Sequence, residues 1–330
     1  MCTAITYKTK DHYFGRTLDY EKSFGESVVI VPRNFVFSFR KMPKMPRHYA
    51  MIGMAAVVCE YPLFYEATNE KGLSMAGLNF PGNADYKSQN MDLDNIAPFE
   101  FIPWILSQCA TVEEAVILLK RINMVNIHFS DDLKLSPLHW IMADQKRCMV
   151  IESVKDGLKF YENPIGVLTN NPTFDMQMFN LNNYMHLSNE APKNTFLKNR
   201  NLDIYSLGMG ALGLPGDFSS VSRFVKAAFV REHSVSGKTE SESISQFFHI
   251  LESVSQPRGS VDIGNGEYEK TIYTSCCNVD QGIYYYTTYE NHQITAVRMD
   301  TEDLEGHQLY VFPLIQSQQI FEQNRKIQGH

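Results

Sequence analysis

No apolar run in this 330-residue chain reaches the ~18–20 residues that a bilayer-spanning helix needs. Nor do the first twenty residues leave room for an apolar secretory signal, because Lys8, Lys10, Asp11, Arg16 and Asp19 fall within them. A basic excess is missing too. Thirty Lys and Arg stand against 37 Asp and Glu, a formal charge of −7, whereas a nucleic-acid partner calls for a cationic face. The densest basic stretch, Arg40 to Arg47, is broken by Pro43 and Pro46 and reads as a loop. The six cysteines (Cys2, Cys59, Cys109, Cys148, Cys276 and Cys277) form no CxxC pair, and adjacent Cys276 and Cys277 would make a strained bridge. Free, buried thiols in a reducing cytoplasm are therefore expected. Ten histidines show no HExxH or paired metal spacing, so no metal site is expected. No linker, repeat or low-complexity segment divides the chain, which is expected to form one domain over 1–330.

What is present is apolar and aromatic: 44% hydrophobic residues, with 21 Phe and 17 Tyr, enough for a large core or an aromatic cleft. Strands are expected at Cys2–Lys8 and Tyr13–Leu18, at Val28–Val31 and Phe35–Phe39 as a hairpin around Pro32–Asn34, and at Met51–Cys59 and Gly72–Asn79. Helical spacing follows over Ala97–Cys109 and Thr111–Ile122. The second of these opens on the capping box Thr111-x-x-Glu114, with Val116, Ile117 and Leu119 on its apolar side. Strands return from Leu138 to Thr169, with a hairpin at Asp156-Gly157. Residues 176–215 are weakly periodic and polar, a long excursion. Helices are expected near Ser220–His233 and Ser241–Val254, then strands at Thr271–Asn278, Gly282–Tyr289 and Gln293–Met299. Alternating blocks of strands and helices imply two sheets with helices stacked on them, an α+β architecture. The stretch from Gly208 to Gly213 fits GxGxxG, but Pro215 follows where a nucleotide-binding helix should begin and no buried strand precedes it, so it is read as a loop.

Cys2 is the residue with the most distinctive chemistry. Removal of Met1 would leave one residue carrying both a thiol and a free α-amine. Thiols ionise near pH ~8.5 and α-amines near ~7.7–8.0, so the amine can act as the base for its own nucleophile. Arg16 can stabilise a thiolate and Asp19 can hold the protonated amine, at a spacing that suits a second strand lying beside that of Cys2. Taken alone, these residues fit an incidental cysteine and a surface ion pair as well as they fit a site.

Motifs along the chain favour the site. MCT at Met1–Thr3, FGRTLDYEKSF at Phe14–Phe24, PRNF at Pro32–Phe35, NEKGLSMAGLNFPG at Asn69–Gly82, LHW at Leu138–Trp140, GVLTNNPTFD at Gly166–Asp175, GLPGDFSSVSRF at Gly213–Phe224, and YTSC with GIYYYTTYEN near the end occur in order. In these the chain resembles the choloylglycine hydrolase family, which contains bile salt hydrolases and penicillin V acylases. The resemblance implies an N-terminal nucleophile hydrolase fold, a four-layer αββα sandwich, with Cys2 as nucleophile after methionine removal. It implies Arg16 and Asp19 as the residues that position thiol and amine, Asn79 and Asn170 as oxyanion donors, and Arg223 as a second arginine near the nucleophile. It implies no cofactor, and a homotetramer in which the 176–215 excursion reaches a neighbouring subunit.

The family's bile-salt-cleaving members resemble this chain in having Asn at position 79, where penicillin V acylases tend to have Tyr. Hydrolysis of glycine- or taurine-conjugated bile salts is the activity this implies. A rigid steroid needs an apolar pocket with few polar anchors. Tyr20, Phe24, Tyr61, Leu63, Phe64 and Tyr65, taken as loop residues beside the catalytic strands, with Leu133, Leu135 and Leu138 opposite, supply candidates that would otherwise serve as core. Leu207 stands where some members carry arginine, which leaves glycine against taurine open. The rival activities are an acylase of penicillin V or an N-acyl homoserine lactone, and a non-catalytic bile-acid-binding protein.

Overall fold

A computed structural model describes residues 1–324. Its strands are β1 (Cys2–Lys8), β2 (His12–Tyr20), β3 (Ser27–Val31), β4 (Met51–Val58), β5 (Tyr61–Asn69), β6 (Ser74–Asn79), β7 (Asp94–Ile96), β8 (Ile122–Met124), β9 (Leu138–Ala143), β10 (Cys148–Val154), β11 (Gly157–Glu162), β12 (Val167–Leu168), β13 (Val261–Gly264), β14 (Glu267–Asn278), β15 (Ile283–Thr288), β16 (Thr295–Arg298) and β17 (Tyr310–Pro313). Its α-helices are α1 (Phe101–Gln108), α2 (Val112–Leu119), α3 (Phe174–Asn180), α4 (Ser220–Glu232) and α5 (Glu240–Glu252). One sheet runs β12-β1-β2-β14-β15-β16, with β13 added beside β14; a second runs β11-β10-β9-β6-β5-β4-β3-β17; and β7 and β8 form a small parallel pair.

The residue pattern explains the layering. In β3, Val28 and Ile30 enter the core between the sheets, while Val29 and Val31 enter a second core against α1 and α2. In β9, Ile141 and Ala143 face the first core, and Trp140 and Met142 the second. Strands buried on both faces read as unbroken apolar runs rather than as alternation. On the far side of the first sheet, α4 and α5 bring Phe224, Ala227, Ile244, Phe247 and Leu251 into contact with that core. The result is the expected four layers: helices, sheet, sheet, helices. Each fully buried aliphatic or aromatic side chain contributes about 1.5–3 kcal/mol.

Several expectations are corrected. Phe35–Phe39 is no strand: Phe37 makes one isolated bridge with Met45, and β3 pairs with β4 and β17 instead. Tyr20, Tyr61, Leu63, Phe64 and Tyr65 are not loop residues: Tyr20 closes β2 and the other four lie on β5. The Thr111 hydroxyl caps α2 by accepting the Glu114 N–H, yet Glu114 accepts from Ala110 rather than Thr111, so no reciprocal box closes. The buried side of α2 is Val112, Ala115 and Leu119; Ile117 is exposed. All six cysteines are free, but Cys59 is exposed and Cys148 half-buried.

The GxGxxG stretch is indeed a loop, closing on a short 3-10 turn at Met209–Ala211. Its glycines have a local cause. Gly208 turns at φ +81°, and a Cβ on Gly210 would sit 2.0 Å from the Glu190 carbonyl oxygen. Among the described residues no helix is long and apolar enough to cross a membrane.

Candidate active site

Cys2 opens β1 and is buried. Its strand lies between β12 and β2, so backbone pairing fixes it on both sides: Ala4 opposite Leu168, and Cys2 opposite Leu18. Where β12 ends, the chain continues past Cys2 through Thr169 and Asn170, and the Cys2 N–H donates to Asn170 Oδ1 at 2.9 Å.

The next strand, β2, carries Arg16 and Asp19, both buried. Arg16 spans the sheets: Nη1 donates to the carbonyls of Gly77 (2.5 Å) and Tyr65 (3.2 Å), and Nε to that of Thr17 (3.1 Å). Burial alone would lower its pKa, but Cys2, Tyr273, Glu66 and Asp19 more than reverse this and keep the guanidinium charged. The Asp19 carboxylate accepts from Thr271 Oγ1 at 2.7 Å and Thr17 Oγ1 at 3.2 Å, and lies 3.9 Å from Arg223.

Arg223 comes from α4, whose N-cap is Ser219. Its guanidinium donates to the Cys2 carbonyl (2.6 Å), Thr3 Oγ1 (2.6 Å) and Asn170 Oδ1 (2.7 Å). Burial depresses its pKa against the pull of Asp19 and Cys2. Asn170 Oδ1 therefore accepts from both Cys2 and Arg223, while its Nδ2 donates to the Asn79 carbonyl at 2.7 Å. Among the described residues, the second hydrogen of that amide has no partner. Asn79, at the end of β6, makes no side-chain hydrogen bond among the described residues.

Met1 extends the ladder. Asp19 N–H donates to the Met1 carbonyl at 2.9 Å, and the Met1 amine donates to the Asp19 carbonyl at 2.5 Å and ion-pairs with Glu269. Burial lowers the pKa of that amine, opposed by Cys2 and Asp19. While Met1 is attached, the Cys2 nitrogen is an amide and has no basic lone pair.

Hydrogen bonds and an ion pair thus link Cys2, Asp19, Asn79, Asn170 and Arg223, while Arg16, on the neighbouring strand, is held by the Gly77, Tyr65 and Thr17 carbonyls and acts on Cys2 through its charge. Of the apolar candidates, Tyr20 follows Asp19 and its ring lies 5.0 Å from that of half-exposed Phe24. Tyr65 lends its carbonyl to Arg16, and Leu138 pairs with Asn79 across the ladder. Leu63 and Leu135 are half-buried, and Leu133 is exposed. Tyr61 and Phe64 sit in the helix-side core instead, Tyr61 among Phe37, Phe99 and Phe129.

Sequence reasoning missed the supports contributed by β5 and β14. Glu66 is fully buried, 3.9 Å from Arg16, and accepts from Tyr273, Ser275 and Tyr284. Burial pushes its pKa up, against Arg16 and those hydroxyls. Thr271 and Glu269 were missed as well. The available signal was YTSC, in which Tyr273 and Ser275 share one face of the strand.

The family model of linear amide C–N hydrolases, choloylglycine hydrolase family, matches residues 2–312. The chain belongs to this family. Among similar choloylglycine hydrolase relatives is the bile salt hydrolase/transferase of Lactiplantibacillus plantarum, 55% identical over 98% of this chain and 100% of that protein. Another, from Clostridium perfringens, is 39% identical over 94% of this chain and 96% of its own. A solved mutant of the conjugated bile acid hydrolase from Clostridium perfringens superposes with a TM-score of 0.91 at 38% identity, covering 98% of this chain and 100% of that one. Penicillin V acylase from Agrobacterium tumefaciens shares the fold, with a TM-score of 0.75 at 19% identity over 93% and 90% of the two chains.

Proposed function

We propose that this chain hydrolyses the amide bond joining a bile acid to glycine or taurine, with Cys2 as nucleophile once Met1 has been removed. The observation that carries the reading is the linked set of Asp19, Asn79, Asn170 and Arg223 around a buried Cys2, with the charged Arg16 on the adjacent strand. The names of relatives up to 55% identical support the substrate class. With Met1 gone, the α-amine of Cys2 takes the thiol proton and sulfur attacks the amide carbonyl. The oxyanion lies between Asn79 and Asn170, where each donor is worth roughly 10²–10³ in rate. The C–N bond breaks, the leaving amine takes the proton from the α-ammonium, and water releases the bile acid from the thioester. Asp19, held by Thr17 and Thr271, keeps the amine in place. We place the enzyme in the cytoplasm, where its thiols stay reduced, and in a homotetramer.

Turnover of glyco- and tauro-conjugated bile salts beside penicillin V tests the substrate; faster turnover of penicillin V would overturn it. Cys2→Ala is expected to lower turnover by roughly 10⁴-fold or more while the circular dichroism spectrum stays native. Cys2→Ser is expected to be severely impaired, because a hydroxyl ionises far less readily than a thiol. An active preparation whose intact mass retains Met1 would remove the amine-as-base step.

A further inference from the structure

One buried histidine touches both arms of the oxyanion site. His139 lies on β9, opposite Leu78 of β6 on one side and Glu152 of β10 on the other. Its ring stacks on Phe80, the residue after Asn79, with centroids 4.1 Å apart and planes within 8°. Its Nε2 lies 2.9 Å from the carbonyl oxygen of Thr169, the residue before Asn170. Its Nδ1 lies 3.1 Å from Glu152 Oε1, which also accepts the Phe174 N–H at 3.0 Å. Both side chains are fully buried, and Glu152 Oε2 has no partner. Among the described residues, Glu152 is the one ionisable side chain bonded to the ring.

A carbonyl oxygen can only accept, so Nε2 must carry a proton. Glu152 secures this in either arrangement of the pair. A carboxylate faces a doubly protonated ring, whereas a carboxylic acid donates to Nδ1 and leaves the single ring proton on Nε2. An apolar pair of similar volume would satisfy packing, but it would leave the Thr169 carbonyl without its donor.

We propose that His139 is a positioning residue, its tautomer held by Glu152, that fixes the Phe80–Asn79 and Thr169–Asn170 arms at the spacing the oxyanion requires. This rests on Asn79 and Asn170 being the oxyanion donors. The arms also meet directly, through Asn170 Nδ2 on the Asn79 carbonyl and Asn171 Nδ2 on that of Pro81. The ring braces both from one side.

The test is Glu152→Gln in the full chain. The new amide must present its oxygen to the Phe174 N–H, so a neutral ring then faces a carbonyl oxygen at each nitrogen and its single proton is no longer held on Nε2. We expect kcat on a glyco-conjugated bile salt to fall about tenfold near neutral pH, with KM within about twofold. Alkylation of Cys2 by iodoacetamide, which needs no oxyanion, should proceed at the native rate. Native-like kcat overturns the proposal, as does a loss in which alkylation falls in parallel. Should Glu152→Gln fail to fold, His139→Gln against His139→Leu decides. Gln, reaching the Nε2 position, should keep kcat within about threefold while Leu loses about tenfold; equal activities overturn the idea. Absent native turnover would instead count against the bile-salt reading itself.

Discussion

At the residue scale, burial ties one side chain's titration to the stability of the sheet that carries Cys2. His12 opens β2, its ring bonded to Thr6 through Nε2, with Nδ1 buried and unpartnered. Burial pushes its pKa down to about 4, against the pull of Asp280 and Asp144. In the unfolded chain the ring titrates near ~6.5, so the unfolded state takes up the proton first as pH falls. Stability contributed above pH ~6.5 is therefore lost as pH drops toward about 4, by at most about 3 kcal/mol. Urea midpoints measured across this window should fall more steeply for the native chain than for His12→Gln, and superimposable slopes would count against it. The same scale shows what the sequence could reveal of the site. Cys2, Arg16 and Asp19 lie within one hairpin, where spacing alone places them side by side. Asn79, Asn170 and Arg223 needed the family motifs, since strand-end asparagines and helix arginines look ordinary. Thr271 and Glu66 gave no local signal: they reach Asp19 and Arg16 because β14 inserts beside β2 and β5 lies across the facing sheet.

At the element scale, readings held where periodicity and turn chemistry agreed, as in β1, β2, α4 and α5. They failed where polar residues interrupt a buried strand. β5 was missed because Glu66 and Thr68 break its apolar run, yet both are buried between the sheets. Phe35–Phe39 misled for the opposite reason. Its alternating aromatics pack into the helix-side core, but Pro43 and Pro46 flank the segment facing it and prevent a continuing ladder. The β4–β5 hairpin carries a further signature: Cys59 and Glu60 both adopt left-handed φ, +49° and +60°. That is the two-residue turn in which Asn-Gly is favoured. Cys59→Asn with Glu60→Gly should raise stability by about 1 kcal/mol, read as a higher urea midpoint at unchanged m value. An unchanged or lower midpoint would show that neither residue is strained there. Because β5 carries Tyr65 and Glu66, the variant should leave turnover near native.

At the scale of the whole molecule, two large sheets and two helical layers account for most of the buried residues, but not for 176–215. That segment holds one short helix and isolated 3-10 turns, and it leaves Phe179, Met185, Phe196, Tyr205 and Leu207 exposed, Leu207 by 99%. Several large apolar side chains exposed along one segment are costly in water, and exposed apolar surface is characteristic of places that meet another protein. The sequence flagged this excursion by its weak period, and the family resemblance suggested its occupant, but no intrachain contact could reveal a second subunit. If the excursion covers a neighbouring copy in a closed assembly, light scattering behind size exclusion should give about four chain masses. Phe196→Asp together with Leu207→Asp should then shift the protein to smaller species while the circular dichroism spectrum stays native, because neither side chain enters the four-layer core. A native protein that runs as a monomer at micromolar concentration would remove the tetramer from the reading and leave the chemistry at Cys2 untouched.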